Sequence, residues 1–496
     1  MSYFKKNNLI DAKLENRSEK IRTLFIIASD EILPFSGVHQ GVATLAGICE
    51  VNNVFVKVID YTVTDLDLNI LKNYICENRF NLVGISASTC SVNTAYRIAR
   101  FIKEIDSSIW VIMGGPHVSE LMSEPLSNGV DLVFVGESEL QFVKFLGQLP
   151  DLLNSDQANR IAVLKDIKGT AFLDEEGKCF FSGRQERIRE LDLIPYPARH
   201  YFPYPQKYGT AFRAFPGNSA RIITSRGCNG HCFFCNKKIF SGQITFRSPD
   251  NVIEEIRHIL TAYGKIKQID FVDENFLEDP DRIIRIAEMI KKNRFNVEWA
   301  AGNTRVDCDV DLEYFKFLRK CGCYRIAFGV ESGSQRVIDG INKKINLNQV
   351  ERIVKLANKA GLFTACFFII GNHCEKEEDI KQTIEFAKKL SCDAVNFTIN
   401  TPFPGTPLWH YLNKKNLMLT KDWNVFGTYS DIIFKHEHVS REKILLYYSK
   451  AYKEFYLRPM YFWGQVKKFV LTRGRYWHLY YSALAQTFSK LLGGLR

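Results

Sequence analysis

The chain has 496 residues and a formal net charge of +11, with 46% hydrophobic and 24% charged residues. This length is too great for one ordinary hydrophobic core, and the composition is that of a globular protein, so two or three domains are expected. No run reaches the roughly 18 uninterrupted apolar residues of a membrane-spanning helix. Length and composition therefore favour a protein of two or three domains and give no sign of a spanning segment.

Residues 1–21 are polar and lack the apolar core of an export signal, so we expect a short disordered lead. The chain carries 13 cysteines, an odd number. Clustered thiols without a secretory signal indicate a reducing compartment, in which they bind metal or carry out redox chemistry. We expect a cytoplasmic protein. The sequence shows no compact basic module of a known type, so no nucleic-acid partner is expected.

Residues 22–150 alternate short β-rich runs with helical patterns. The predicted strands are TLFIIA from Thr23, VFVKVID from Val54, LVGISA from Leu82, IWVIMGG from Ile109 and LVFVGE from Leu132. Nearly continuous apolar runs indicate strands that are buried on both faces, and hence a parallel sheet covered by helices. We predict an α/β fold with a doubly wound five-strand domain, whose ligand crevice lies beyond the carboxyl ends of the strands.

Small and hydroxylated residues follow three of these strands, in SASTCS, GGPH and GESE. Such residues let a large ligand approach the backbone. Ordinary tight turns between strand and helix explain them equally well, so both interpretations stay open.

The remaining chain divides into three predicted regions. Residues 151–216 are a linker, with a hairpin at GTAFLDEEGKCFFSG and a proline-rich strap at LDLIPYPARHYFPYP. Residues 217–400 contain six strand–helix units, at RIITS, QIDFVD, VEWAA, YRIAFGV, TACFFII and AVNFTI. Six units are too few for a closed eight-strand barrel, so we predict a partial barrel. Its active site is expected at the carboxyl ends of the strands. Residues 401–496 are helical and aromatic, and we expect them to close the active site.

Three cysteines, Cys228, Cys232 and Cys235, lie in SRGCNGHCFFCNKK, directly after the first strand of the partial barrel. A structural zinc ion takes four ligands, and His231 is a possible fourth, although its neighbour Cys232 makes the geometry awkward. A redox pair of Cys232 and Cys235 leaves Cys228 without a purpose. A [4Fe–4S] cluster held by three thiolates keeps an open position on one iron.

The Cx3CxxC spacing, the aromatic Phe234 before the last cysteine and the position after the first strand resemble the radical S-adenosylmethionine (radical SAM) superfamily. The resemblance implies that the three cysteines bind a [4Fe–4S] cluster whose open iron chelates SAM. One electron then yields a 5′-deoxyadenosyl radical. Zinc or redox chemistry at the loop remains the alternative.

Further segments match family motifs in order. FVDENF matches the SAM amino-group motif loosely, because the usual glycine pair is missing, and FGVESGSQ matches the fourth-strand motif. FIIGNHCE matches the fifth-strand region, with His373 where relatives commonly have proline, and NTPFPGTPL resembles the turn near the adenine. An arginine in GNTRVD is suited to pairing with the SAM carboxylate. The SAM contacts implied in this way are Phe234, Asp273, Glu274, Asn275, Arg305, Glu331, Ser332 and Gly371.

The segments GGPHVSE, VDLVFVGESELQF and LDLIPYPAR resemble the cobalamin-binding subfamily of these enzymes. The chain lacks the DxHxxG motif that supplies a histidine to cobalt elsewhere, and its nearest string, GVHQG, lies in another context. The resemblance therefore implies base-off cobalamin without a histidine lower ligand; a vestigial domain of the same fold is the alternative. The cobalamin contacts implied are Ser86, Ser88, Thr89, Gly114, Gly115, His117, Gly136 and Glu137.

The resemblance implies methylation of an unactivated carbon (or phosphorus) centre: one SAM methylates cobalamin, a second SAM supplies the radical that removes a substrate hydrogen, and the substrate radical takes the methyl group from methylcobalamin. Cyclisation, ring contraction or oxidation with the same cofactors is one alternative. A methylthiotransferase-like enzyme is another, although Cys49, Cys76 and Cys90 lack the context of a second cluster. A non-catalytic cobalamin or SAM sensor is disfavoured, because an open cluster iron serves catalysis.

The expected partners are a small-molecule, lipid-like or natural-product substrate and a reductant such as flavodoxin or ferredoxin. The C-terminal run from Tyr447 is rich in Tyr, Phe, Trp, Lys and Arg. It fits helices that pack aromatic side chains against the barrel, and it also fits peripheral contact with a membrane surface, where basic and aromatic helices settle among the headgroups. Both interpretations stay open.

Overall fold

The computed structural model describes residues 14, 17–30, 37–203, 208, 218–237, 242–429, 431–471, 474, 476 and 479. Residues 1–13, 15 and 16 of the predicted lead lie outside this set, and Ser18–Lys20 of the lead form a short 3₁₀ helix. The chain divides into two compact units, Met1–Tyr208 with Lys238–Ser241 and Gly209–Lys237 with Gly242–Arg496. Among the described residues, no helix combines the length and the apolarity needed to cross a membrane.

The first unit contains a sheet of seven strands among the described residues, in the order β2-β1-β3-β4-β5-β6-β7. Strands β1 to β5 pair in parallel, and β6 and β7 continue the sheet as an antiparallel hairpin. The predicted α/β class with its five parallel strands is confirmed. The hairpin of the predicted linker pairs with β5, which its sequence alone did not indicate. The strands are β1 (Arg22–Ile27), β2 (Phe55–Asp60), β3 (Leu82–Ser86), β4 (Trp110–Gly114), β5 (Leu132–Phe134), β6 (Thr170–Leu173) and β7 (Cys179–Phe181).

Helices of the first unit present apolar stripes to this sheet. In α3 the buried positions include Val92, Ala95, Ala99 and Ile102, at the spacing of one helical face. Aromatic rings of α6 pack against β5, with the ring centroids of Phe145 and Phe134 5.9 Å apart. The helices are α1 (Gln40–Val51), α2 (Leu68–Asn78), α3 (Val92–Ile105), α4 (Pro116–Glu120), α5 (Ser123–Leu126), α6 (Glu139–Leu152) and α7 (Gln157–Lys165).

The second unit is built on six parallel strands in the order β15-β14-β13-β12-β11-β8, which is the predicted partial barrel. A short antiparallel pair, β9 with β10, lies outside this sheet and was not predicted. The strands are β8 (Ser219–Ile222), β9 (Ser225–Arg226), β10 (Thr245–Phe246), β11 (Gln268–Phe271), β12 (Glu298–Thr304), β13 (Cys323–Glu331), β14 (Phe363–Ile370) and β15 (Ala394–Ile399).

Three helices of the second unit begin at a capping side chain that is followed by proline. The caps are Ser248, Asp279 and Thr406, each of which accepts a hydrogen bond from a backbone N–H of the first turn. The helices are α8 (Pro249–Tyr263), α9 (Pro280–Lys292), α10 (Leu312–Lys320), α11 (Gln335–Gly340), α12 (Leu347–Lys359), α13 (Glu377–Lys389), α14 (Pro407–Lys414), α15 (Arg441–Tyr456) and α16 (Pro459–Leu471).

Two tyrosine hydroxyls of α15 cover the backbone of the edge strand β15. The Tyr452 hydroxyl donates to the carbonyl oxygen of Phe397 (2.9 Å) and accepts from its N–H (3.1 Å). Tyr456 bonds the carbonyl and N–H of Val395 in the same way. An uncovered edge strand invites unwanted pairing, so these hydroxyls give the aromatic C-terminal run a structural role.

Candidate active site

The three cysteines of the motif lie on the connection between β9 and β10. Gly227 opens this loop at a φ of +92°, and a Cβ at that position would stand 2.0 Å from the carbonyl oxygen of Gln243. The Gly227 N–H donates to a carboxylate oxygen of Glu274 at 3.2 Å. Left-handed backbone and close contact together require glycine where the loop begins.

The cysteine side chains sit in a partly cationic environment. Cys232 is buried, Cys228 is half-buried, and Cys235 is exposed. Arg305 Nη1 lies 3.8 Å from the Cys232 sulfur, and the Gly230 N–H donates to the Cys228 sulfur at 3.3 Å. Burial raises the pKa of the Cys232 thiol, while the positive charges of Lys343 and Arg305 oppose the rise. These donors and charges favour an anionic group at the loop.

The donor set fits an iron–sulfur cluster. Cys228, Cys232 and Cys235 supply three thiols, which are the ligand type that iron–sulfur clusters take. A cluster distributes its thiolates over several irons and does not gather them at one atom. Exposed His231 contacts the carbonyl oxygen of Asn229 through Nδ1 at 2.9 Å.

A cleft of about 390 Å³ adjoins the cysteine loop. A Cβ added to Gly230 would come within 2.6 Å of Arg305 Nη1, so the glycine lets the guanidinium reach the loop. The lining includes Gly230, His231, Asn275, Glu278, Arg305, Asp307 and Lys343.

Arg305 is held in place from several sides. Its Nε and Nη2 donate to the two carboxylate oxygens of Asp307 (2.9 and 2.7 Å), and Nη2 also donates to the carbonyl oxygen of Lys343 (2.8 Å). The Arg305 N–H donates to Asn275 Oδ1 at 3.0 Å. The structure thus brings together two predicted SAM residues, Arg305 and Asn275. Sequence reasoning missed Asp307, although its position two residues after Arg305 was the available signal.

Asp273 and Glu274 accept hydrogen bonds from the segment that leads into the cysteine loop. Asp273 is fully buried, and its carboxylate accepts hydrogen bonds from the N–H and hydroxyl of Thr224, which lies between β8 and β9. Burial raises the pKa of both Asp273 and Glu274. Both oxygens of Asp273 are therefore engaged within the protein, and contact of these residues with SAM stays a prediction.

Glu331 and Ser332 lie at the end of β13 with buried partners. Glu331 adopts a φ of +70°, and its carboxylate pairs with Lys343 Nζ at 2.6 Å, with side chains that are 10% and 7% exposed. The Ser332 hydroxyl is 3.0 Å from that of Thr383. Lys343 was not identified from sequence, because nothing in the pair Lys343–Lys344 indicates which lysine is buried.

The turn after β14 contacts the cysteine loop. Gly371 has a φ of +83°, and its N–H donates to Glu375 Oε2 at 2.7 Å. Burial raises the pKa of Glu375 to about 8. The ring centroid of His373 lies 4.6 Å from that of Phe233 in the loop, beside the half-buried Phe234. The unusual histidine of FIIGNHCE therefore packs against the motif itself.

In the first unit, the predicted cobalamin residues lie together at the carboxyl ends of the parallel strands. Ser86 of β3 is in register with Gly114 of β4, which is in register with Phe134 of β5. The turns after these strands, which carry Ser88, Thr89, Gly115, His117, Gly136 and Glu137, therefore lie side by side. Gly115 has a φ of +123°, and a Cβ there would stand 3.3 Å from the carbonyl oxygen of Ala87.

Side chains also link these turns. His117 Nδ1 lies 3.3 Å from the Thr89 hydroxyl, and the Gly136 N–H donates to the Ser119 hydroxyl at 3.1 Å. Glu137 pairs with Arg187 at 3.4 Å. These contacts hold the turns together at the carboxyl ends of the parallel strands. Small residues at that position fit a large ligand that approaches the backbone.

His39 belongs to GVHQG, the string that does not match the cobalt-ligand motif, and it also lies at the carboxyl end of β3. Its Nε2 is 3.1 Å from the Ser86 hydroxyl, and its Nδ1 accepts the N–H of Val42 at the start of α1. Because Nδ1 accepts, Nε2 carries the proton and donates to Ser86. The string GVHQG alone does not indicate a cobalamin contact, whereas the structure places His39 against Ser86, one of the residues predicted to contact cobalamin.

Comparison with known proteins gives two family matches. Residues 222–387 match the radical SAM superfamily, and residues 33–146 match the B12 binding domain. The chain is 34% identical over 436 residues to the uncharacterized methyltransferase PH0819 of Pyrococcus horikoshii, covering 87% of this chain and 90% of that protein. It is 26% identical to cytidylyl-2-hydroxyethylphosphonate methyltransferase of Streptomyces wedmorensis, over 66% of each chain.

Among solved structures, the fold resembles the cobalamin-dependent S-adenosylmethionine radical enzyme OxsB with aqua-cobalamin and S-adenosylmethionine bound. The TM-score is 0.69 at 16% identity, covering 89% of this chain and 66% of that one. This likeness concerns the fold alone.

Proposed function

Because this chain belongs to the cobalamin-dependent radical SAM methyltransferase family, we propose that it methylates an unactivated carbon (or phosphorus) centre of a small lipid-like or natural-product molecule. The observation that carries the proposal is the three-cysteine loop with Arg305 beside the Cys232 sulfur, at the side of a cleft of about 390 Å³. The named substrate of the S. wedmorensis relative is also a small molecule.

In this proposal Cys228, Cys232 and Cys235 hold the [4Fe–4S] cluster. When bound, the cluster and SAM supply a 5′-deoxyadenosyl radical, and cobalamin supplies the methyl group. The protein contributes position and charge. Arg305, fixed by Asp307, and the buried Lys343 offset negative charge at the loop, which matters most where water is excluded.

The loop itself is positioned by buried hydrogen bonds. The Asp273 carboxylate fixes Thr224 before β9, and Glu274 accepts the N–H of Gly227. The Phe233 ring packs on His373. We propose that this frame keeps the three thiols in one arrangement, because radical chemistry requires the reacting groups to be held close together.

We assign the cobalamin to the row of turns after β3, β4 and β5, with Ser86, Thr89, Gly115 and His117 among its contacts. Radical SAM enzymes usually need a reductant, and residues 222–387 match that superfamily. We propose flavodoxin or ferredoxin in the cytoplasm, because an acidic redox protein would be attracted to a chain with a net charge of +11.

A labelling experiment tests the proposed reaction. The reconstituted protein is incubated anaerobically with reductant, SAM carrying a labelled methyl group and a total lipid and metabolite extract of the source cells. We expect a product that carries the label, and none with the Cys232→Ala variant. Release of 5′-deoxyadenosine with an unlabelled new product would favour cyclisation or oxidation. The absence of both would contradict the proposal.

A further inference from the structure

Helix α16 turns its polar side toward the protein. The Tyr461 hydroxyl donates to the carbonyl oxygen of Asp393 at 2.9 Å, and Gln465 Nε2 donates to the same oxygen at 3.4 Å. Lys468 pairs with the Asp393 carboxylate, whose side chain is 1% exposed. Tyr461, Gln465 and Lys468 are separated by four and three residues, so they form one stripe of the helix. This polar stripe fixes α16 to the start of β15.

The opposite side of α16 is apolar and open to solvent. Four of its side chains are between 38% and 68% exposed: Phe462, Trp463, Val466 and Val470. Their spacing again describes one helical stripe, which we call the outer stripe. A helix on the surface of a globular protein normally shows the reverse arrangement. A contiguous exposed apolar stripe of this kind marks an interaction surface.

The sequence that contains α16 is strongly basic. From Pro459 to Arg496 it has no Asp or Glu, and its six cationic residues are Lys467, Lys468, Arg473, Arg475, Lys490 and Arg496. These 38 residues therefore account for +6 of the net charge of +11. The partner that covers the outer stripe must offer an apolar layer together with negative charge.

We propose that α16 docks the protein on the surface of an anionic membrane. The outer stripe inserts at the boundary between headgroups and acyl chains, and the positive charge of Lys467 and of the basic sequence after α16 attracts lipid phosphates. With 13 residues α16 is too short to span a bilayer, which takes about 20 residues. A second copy of the chain fits less well, because a two-fold contact through α16 would oppose two equally basic segments. This inference does not depend on the reaction that the enzyme catalyses.

Vesicle flotation tests the proposal with the full-length chain. The vesicles are phosphatidylcholine alone or phosphatidylcholine mixed with phosphatidylglycerol. The test variant is Phe462→Ser/Trp463→Ser. The matched control is Ile70→Ser/Leu419→Ser, which removes apolar side chains that are 67% and 58% exposed elsewhere on the surface. Retained far-ultraviolet circular dichroism and iron content after reconstitution show that each variant is folded.

We expect the wild type and the control to float with the anionic vesicles, and the test variant to lose affinity by roughly tenfold or more, since aromatic anchors and charge act together. Binding of the wild type should weaken in high salt. Failure of the wild type to float, or undiminished flotation of the test variant, would overturn the proposal. A wild-type dimer that becomes monomeric in the test variant, with no flotation of either, would assign the outer stripe to a second copy instead.

Discussion

Lys343 and Lys344 are adjacent in the sequence and have opposite surroundings. Lys343 is buried against Glu331, whereas Lys344 is exposed. Removing one partner of a buried ion pair leaves an uncompensated charge. We therefore expect Lys343→Met to lower the free energy of unfolding of the second unit by about 3–5 kcal/mol.

The matched variant Lys344→Met should change that free energy by less than about 0.5 kcal/mol, as exposed substitutions usually do. Urea denaturation of both variants measures the difference. Equal stabilities would show that the Glu331–Lys343 pair does not support the end of β13.

The raised pKa of Glu375 predicts that the stability of the protein depends on pH. Burial raises its pKa from an ordinary value of 4.5 to about 8. Below pH 4.5 the carboxyl is protonated in both folded and unfolded chains. Between 4.5 and 8 the unfolded chain releases a proton that the folded chain retains, so stability falls as the pH rises. Above 8 the full cost of the buried charge is present.

Glu375→Gln keeps an oxygen for the Gly371 N–H and removes the titration. We expect it to gain stability over the wild type progressively from pH 4.5 to 8, as measured by urea midpoints across that range. The exposed neighbour in Glu378→Gln should show no such trend. A constant difference between Glu375→Gln and the wild type would contradict the assigned pKa shift.

Sequence alone identified the cysteines and Arg305 as site candidates, since spacing and residue type carry that signal. It could not identify Asp307, Lys343 or His39, because their roles depend on burial and on contacts with residues distant in the chain. Asp273 is the instructive intermediate case. Its motif is recognisable in the sequence. Its hydrogen bonds with Thr224 are not, because the two residues are 49 positions apart in the chain.

Among the elements of the second unit, the β9–β10 pair holds the cysteine loop, and Gly227 allows the chain to enter this loop directly after β9. A Cβ would collide with the Gln243 carbonyl, so we expect Gly227→Ala to shift the loop and to lower the iron bound after reconstitution severalfold. Gly242→Ala is the matched control, because Gly242 also has a positive φ (+68°) but no atom within 4 Å of its Cβ position. Equal iron contents would show that the loop adapts to either change.

The apolar runs predicted the central strands of both sheets because strands buried on both faces require them. The β9 and β10 strands have two residues each, which is too short for any periodic signal. The hairpin β6–β7 was recognisable from its turn, but its pairing with β5 is a long-range choice. The C-terminal aromatics serve two purposes: Tyr452 and Tyr456 cover the edge of β15, whereas the outer stripe of α16 faces solvent.

At the scale of the whole molecule, one chain combines a row of glycine turns suited to cobalamin with a three-cysteine loop suited to an iron–sulfur cluster. Each unit has its own sheet, and each candidate site lies at the carboxyl ends of parallel strands. We infer that both sites are occupied in the working enzyme.

Anaerobic reconstitution with iron, sulfide and hydroxocobalamin shows whether the protein fills both sites. After removal of unbound material, optical spectra and metal analysis report what the protein retains, and chromatography reports SAM cleavage on reduction. We expect one cluster, bound cobalamin and formation of 5′-deoxyadenosine, with the cluster and the cleavage lost and the cobalamin kept in Cys228→Ala/Cys232→Ala/Cys235→Ala. A cluster retained without cobalamin would contradict the cobalamin-dependent reaction and leave the first unit without its assigned ligand.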